Sequence, residues 1–472
     1  MSSRIISKFS LARLLYIAVI SFIGLISELS HAEIYLSDNG PYTFTGGDSS
    51  SHTIFGVVTS MPSFEIPLST PIPTNSFVLF KFTISNLINA PGNTPFRATL
   101  GGWYDINDDY TLEVNGPNLY NGIVSLSGKT SGDTNDAISF GSNGWDANSF
   151  ATLSDIYLFY VNGADTQSSM QYQSRQLRSA FNTQTVAANF ALNYDCTLFD
   201  VKGMCISAGG RYTTIDNPGI NNSAAVVTLG YKVNPNIRVG AYLDQNINIS
   251  NPTGIDISNN TPLMGLYAVW NKEQSGLGYQ LRVANTYQDK DVTQTRTVFN
   301  TSEAGSGKSS LTSQSYLAEF SYAFQYEDRT LVRPYFGLRY THLKQDGYTE
   351  ATTDTVQDPL TVAALRDKSA TALLGVKVQR SLTDKATLTA QLGLEQDVHH
   401  KVGNYSAADT VGSDLTAITF NSNIKRTRPV ASIGAFYDIS KTQRASATIN
   451  YQQLPFQSTG SATAYVNYMI GF

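Results

Sequence analysis

Residues 237–248, IRVGAYLDQNIN, decide the architecture. The odd positions are Ile237, Val239, Ala241, Leu243 and Ile247; the even ones are Arg238, Gly240, Tyr242, Asp244, Asn246 and Asn248. Successive side chains on a strand point to opposite faces, so this segment carries one apolar and one polar face. The alternation recurs in Leu277, Tyr279, Leu281 and Val283 against Gln280 and Arg282. It recurs again in Leu388, Ala390, Leu392 and Leu394 against Thr389, Gln391 and Glu395. A soluble sheet with one wet face also alternates. Strand count, loop asymmetry and the chain end separate that case from a membrane barrel.

From Met204 onward the pattern predicts twelve strands, near 204–215, 224–233, 237–248, 262–272, 277–292, 314–326, 331–344, 369–380, 386–398, 427–439, 444–454 and 461–472. Tight turns fall at Asn234-Pro235-Asn236, Glu273 to Gly276, Glu327-Asp328-Arg329, Thr383-Asp384-Lys385 and Ser440-Lys441-Thr442. The alternate connections are mostly longer and polar: 249–260, 298–314, 345–368 and 399–426, with shorter ones near 216–223 and 455–460. Brief turns at one end and long loops at the other fit an outer-membrane barrel. An even count lets the sheet close with both ends on one side, and closure leaves no backbone edge without a partner in lipid. The chain stops on Ala464, Val466, Tyr468, Ile470 and Phe472, alternating apolar positions with a terminal aromatic. Val466, Tyr468, Ile470 and Phe472 look like the signal that barrel-assembly machinery reads in outer-membrane proteins.

Composition agrees. Charged residues make up 15% and hydrophobic ones 41%, while 27 Tyr, 23 Phe and 36 Gly favour strands. The net charge of -5 comes with no Lys/Arg run, which excludes a nucleic-acid footprint. Arg4, Lys8 and Arg13 precede an apolar run from Leu14 to Ile26, and Ser30-His31-Ala32 follows. This pattern predicts a signal peptide over 1–32, cut between Ala32 and Glu33. The run is too short for the roughly 20 residues of a spanning helix, and no later stretch is long enough either. Cys196 and Cys205, in NYDCTLFDVKGMC, are the only cysteines. In an exported chain they are expected to pair, since their spacing is far from the redox-active Cys-x-x-Cys.

Before the barrel the texture differs. Residues 33–163 are acidic, with Lys81, Arg97 and Lys129 as their only basic residues, whereas the remainder is mixed and slightly basic. Alternating runs such as Val78, Phe80, Phe82 and Ile84, and the stretch Ile156 to Val161, predict a small β-rich domain, a sandwich by preference. Between Ala164 and Asn193 Gly and Pro vanish, and MQYQSRQLRSAFNTQTVAANFAL (170–192) predicts a helix with Met170, Leu177, Phe181, Ala188 and Leu192 near one stripe.

With these pieces in order, the chain resembles a monomeric autotransporter of type V secretion. The segment RPYFGLRYTHLKQDGYTE, Arg333 to Glu350, is similar to the translocator segment in which a Pro-x-x-Gly-Leu core leads into Gly-Tyr-x-Glu. The resemblance implies an all-β protein: a 12-stranded antiparallel transmembrane β-barrel over 196–472, a pore-inserted linker helix over 164–195, and a passenger over 33–163. It places Met170 to Leu192 in the lumen and the Cys196–Cys205 bridge near the periplasmic mouth. Inward-facing Arg238, Arg282, Arg333, Arg339, Glu319, Glu395 and Asp438 would then touch water or the helix. The passenger is too short for a long β-helix, and no Asn-Asn junction occurs between 164 and 195, so it is expected to stay attached. Implied partners are outer-membrane lipid, the barrel-assembly machinery, periplasmic chaperones and an unidentified surface ligand.

Chemistry in 33–163 is sparse. Gly46-Gly47-Asp48-Ser49 is similar to the nucleophile block of surface lipases in such passengers, but the sole nearby His is His52, only three residues away from Ser49. A polar turn is the better reading. Asp105, Asn107 and Asp109 alternate as in a calcium loop, yet Tyr110 stands where Gly is required and Gly116 where Glu is. His399 and His400 are adjacent on a strand, so they point to opposite faces and chelate poorly. The sequence thus predicts no cofactor, metal or catalytic residue. It predicts surface display for binding or adhesion; the alternatives are a porin-like pore with a periplasmic N-terminal domain and, less favoured, a surface hydrolase.

Overall fold

The computed structural model describes residues 34–38, 40–45, 50–54, 57–61, 63–88, 96–100, 111–114, 121–130, 137–142, 148–216, 219–258, 261–420, 425–454 and 459–472. The expected cleavage point Ala32-Glu33, the Gly46–Ser49 block and the Asp105–Asp109 stretch lie outside them, as does the side chain of His52.

Twelve strands form the barrel: β1 (Met204–Ile215), β2 (Ile220–Asn234), β3 (Ile237–Ile249), β4 (Leu263–Asn271), β5 (Gly278–Thr295), β6 (Ser306–Gln325), β7 (Thr330–Gln345), β8 (Leu365–Ser381), β9 (Ala386–Lys401), β10 (Thr427–Ser440), β11 (Gln443–Gln453) and β12 (Gly460–Gly471). Each pairs antiparallel with its neighbours in sequence. β1 also pairs with β12, from Cys205 opposite Gly471 to Ile215 opposite Ser461, and this closes the sheet. The faces are inverted relative to a soluble protein. Leu266 (61% exposed), Leu392 (70%) and Ile433 (64%) point outward, whereas Arg211, Asp244, Glu395 and Arg428 are buried inside. Lipid around the wall and a polar lumen account for that inversion.

β6 begins at Ser306, where alternation predicted 314, and β5 runs on to Thr295. The extra pairs, Thr295–Ser306 to Val292–Ser309, continue the ladder at the long-loop end. There the outer face lies beyond the lipid, and on the inner face only Leu311 joins the apolar cluster around Phe181, so GKSSLTSQS has no run of alternating apolar residues to reveal the strand. Above the mouth, Tyr348–Thr349, Thr361–Val362 and Ala407–Ala408 form a small three-stranded sheet.

The helix α1 (Gly163–Ala191) occupies the lumen. It starts where the strand Phe150–Asn162 ends: the Asn162 side chain caps it by accepting from the Ala164 N–H at 2.8 Å. A Cβ at Gly163 would fall 2.6 Å from the Asn75 carbonyl oxygen, so only glycine fits this junction. Met170, Leu177, Phe181 and Ala188 are buried as the stripe predicted, but so are Gln173, Ser174, Asn182, Thr183 and Asn189. A helix surrounded by a polar wall buries its polar side too, so it carries no strong apolar stripe.

Before α1, a five-stranded sheet joins Ile34–Asp38, Phe150–Asn162, Ser76–Ile88, Gly122–Lys129 and Tyr42–Thr45, and a four-stranded one joins Ser63–Pro67, Ala137–Ser142, Phe96–Leu100 and Thr111–Val114. Val78, Phe80, Phe82 and Ile84 of the first share a core with Ile138, Phe140 and Leu100 of the second. The rings of Phe80, Phe82 and Phe140 lie 5.3 to 5.6 Å apart. The opposite face of the first sheet is apolar as well: Phe77, Leu79, Phe159 and Val161 pack on Val411 of the long loop after β9. Lys129 reaches Asp414 (3.4 Å) and Asp414 N–H donates to Asn75 (2.9 Å), which seats the sheet on the barrel rim.

The plugged lumen as candidate functional site

α1 is held along its length by polar contacts to the wall. At its start, Asp165 accepts from the Thr301 N–H (3.2 Å) and hydroxyl (2.8 Å) in the loop after β5. Midway, Arg178 pairs with Asp367 at the long-loop end of β8 and lies 3.9 Å from the Phe420 ring centre. Lower down, Asn189 Oδ1 accepts from Ser315 (3.1 Å) and Thr341 (2.9 Å) on neighbouring strands.

The last turn is fixed most firmly. Arg282 on β5 donates to the Leu192 carbonyl at 2.9 Å and the Tyr194 carbonyl at 2.8 Å, which satisfies orphan acceptors at the helix end. Asp195 is gripped by Arg238 at 2.7 Å and Arg282 at 3.0 Å. Burial pushes its carboxyl up, but the two guanidinium groups outweigh that and hold it below the usual carboxylate range. Tyr194 donates to Asp244 (2.7 Å), itself held by Arg211 from β1 through Nε (2.7 Å) and Nη2 (2.9 Å). The chain then enters β1 through a disulfide between Cys196 and Cys205.

Other lumen charges pair with one another. Arg339 makes a two-point bond to Glu395 (2.8 and 2.6 Å), Lys377 meets Glu319 (2.6 Å) and Arg428 meets Asp397 (2.5 Å). Arg333 donates to the Gly276 carbonyl (2.7 Å), and Asp438 accepts from Arg444 (2.6 Å). Of the lumen charges singled out in sequence, then, Arg238 and Arg282 reach the helix exit and the rest brace the wall. Arg178, Asn189, Arg211 and Asp244 were not singled out, because alternation identifies a polar face but not which of its members meet. His399 and His400 sit at the end of β9, with His400 Nδ1 3.9 Å from Asp397, and no metal-holding cluster occurs among the described residues. Val466 and Tyr468 face outward, and the terminal Phe472 exchanges backbone hydrogen bonds with Met204 at 2.9 and 3.2 Å.

At the rim, the Glu303 carboxylate accepts from the N–H groups of Gln357 (2.7 Å) and Asp358 (2.9 Å). Asp358 accepts from the Thr410 N–H (3.2 Å) and hydroxyl (2.7 Å). These two carboxylates knit the loops after β5, β7 and β9 together. Burial pushes Glu303 up to about 7 and Asp358 up to about 6.

A helix threaded through a closed twelve-stranded barrel meets a direct counterpart in sequence: the family described as autotransporter beta-domain matches residues 206–452. The chain belongs to the autotransporter family. Its barrel is therefore an outer-membrane barrel. Similar solved structures include the translocator domain of the autotransporter NalP from Neisseria meningitidis, at 19% identity over 58% of this chain and 90% of that one, with a TM-score of 0.43. The transport unit of the autotransporter AIDA-I from Escherichia coli shows 12% identity over 63% and 99%, at 0.42. The beta domain of the Bordetella autotransporter BrkA shows 11% over 58% and 100%, at 0.37. No curated protein matches the chain.

Proposed function

We propose that this autotransporter barrel exports residues 33–163, anchors them, and displays them at the cell surface, still attached, for binding or adhesion. The observation that carries the reading is the path of α1: it links the β-rich sheets at the long-loop end to β1 at the short-turn end through the lumen. With the short turns in the periplasm, that path leaves the sheets outside. Export consumes no nucleotide here; the barrel closes around the chain and folding of the sheets outside opposes return. A porin-like pore would need the lumen that α1 fills. External protease on intact cells tests the reading: it removes an epitope placed in 33–163 if the segment is displayed, and spares it if the segment is periplasmic.

A further inference from the structure

The outer wall of the barrel is not uniformly convex. Across β2 to β6, Leu229, Ala241, Leu266, Asn285 and Tyr316 are successive cross-strand partners. In the adjoining row Ala268 lies between Val239 and Val283. Leu229, Leu266 and Tyr316 stand out from the wall, while Ala241 and Ala268 are too short to do so. The result is a depression of about 830 Å³ with an almost wholly apolar lining.

Its floor is braced from inside. A Cβ at Gly240 would fall 2.3 Å from the Tyr267 ring, and one at Gly265 would fall 2.4 Å from the Tyr242 hydroxyl. Tyr242 donates to the Asn285 carbonyl (2.7 Å) and Tyr267 to the Leu229 carbonyl (3.3 Å). Tyr267 also accepts from the Cys196 N–H at 3.0 Å, which ties the floor to the helix exit. Asn285, the one amide side chain of the lining, turns its oxygen to the Leu266 N–H at 3.0 Å. The depression is thus rigid, and no backbone donor of Leu266 is left bare to lipid.

We propose that this depression seats one acyl chain of a membrane phospholipid as a fixed lipid, distinct from the exchanging lipids around the rest of the wall. It is continuous with the lipid-facing band, beside the aromatic pair Tyr279–Phe320 near the short turns, so the medium that surrounds it is hydrocarbon. A preformed apolar groove binds a chain with little ordering of the protein. The choice of phospholipid rests on the orientation proposed above; seating of a chain rests only on the barrel being in a membrane.

Trp270 lies two residues from Ala268 on the same outward face, about 7 Å along β4. Trp103 and Trp145 precede the barrel in sequence, and the titration of Trp270→Phe gives their contribution for subtraction. The full chain in detergent is titrated with a phospholipid brominated on its acyl chains, and quenching of Trp270 is followed. Saturation at one lipid per chain is expected. In Ala241→Leu/Ala268→Leu, which fills the floor with apolar side chains facing lipid, the midpoint moves up by about ten-fold or more. Retained heat-modifiable gel mobility checks that this variant folds. An unchanged midpoint in the filled variant, or a response in the wild type that never saturates, overturns the proposal. A dimer that dissociates on filling assigns the groove to a second copy and overturns it as well. The titration involves no cell surface, so its outcome is separate from that of the display reading.

Discussion

Arg282 and Asp195 meet at 3.0 Å where α1 ends, and the same guanidinium holds the Leu192 carbonyl at 2.9 Å. One side chain on β5 thus locks both the helix terminus and the residue that leads into the disulfide. Removing the carboxylate in Asp195→Ala leaves Arg238 and Arg282 facing each other with no counter-charge. Breaking such a buried pair costs about 3–5 kcal/mol, and a lower urea midpoint for the purified barrel is the expected readout. Because the folded Asp195 titrates below its unfolded value, its contribution is complete above about pH 4 and is lost as pH falls through the lower folded value.

The rim carboxylates predict the opposite dependence. Glu303 titrates at about 7 when folded, against about 4.3 when unfolded. The folded rim therefore binds more protons across that interval, and its stability falls as pH rises from about 5 to 7. Limited proteolysis of the 346–364 loop should be faster at the upper end of that window. Glu303→Gln, which stays neutral, should make the dependence shallower and leave the part below about pH 6 that Asp358 supplies; an equally steep profile in that variant would remove Glu303 from the account.

Gly265 is required by what covers it. A Cβ there would stand 2.0 Å from the Asn285 carbonyl oxygen, which is backbone and cannot turn aside. Gly265→Ala is expected to destabilise the barrel by about 1–3 kcal/mol, visible as a lower temperature for loss of heat-modifiable mobility. Ala268→Val, on the other face of the same strand, keeps an apolar side chain toward lipid and should be nearly silent.

Deleting 166–192 removes the plug. In planar bilayers the shortened chain should conduct ions far better than the intact one, and equal conductance would contradict a filled lumen.

Much of the barrel was legible in sequence, since its two faces meet lipid and water along most strands and period-two alternation records both. The extension of β6 from 314 back to Ser306 was hidden because it rises beyond the lipid, where selection for an apolar face ceases. The helix showed itself through lost Gly and Pro, yet its start at Gly163 depended on Asn75, a residue almost ninety positions upstream. Nor could alternation foresee that Arg178 meets Asp367, or Arg211 meets Asp244, because pairing across a lumen follows from barrel register, not from local pattern. The seat of the N-terminal sheets on Val411 and Asp414 was likewise invisible: Phe77 and Leu79 read as one side of a strand, and nothing local says that side is also covered.

Display of 33–163 is tested most directly by three single-cysteine replacements, probed in intact cells with a thiol reagent that cannot cross the outer membrane. Ser125 is exposed on the N-terminal sheet, Thr352 in a long loop, and Lys385 in a short turn. Labelling of Ser125→Cys and Thr352→Cys, with Lys385→Cys protected until the membrane is breached, is the predicted result. Labelling of Thr352→Cys alone would place the N-terminal sheets on the periplasmic side and contradict the account.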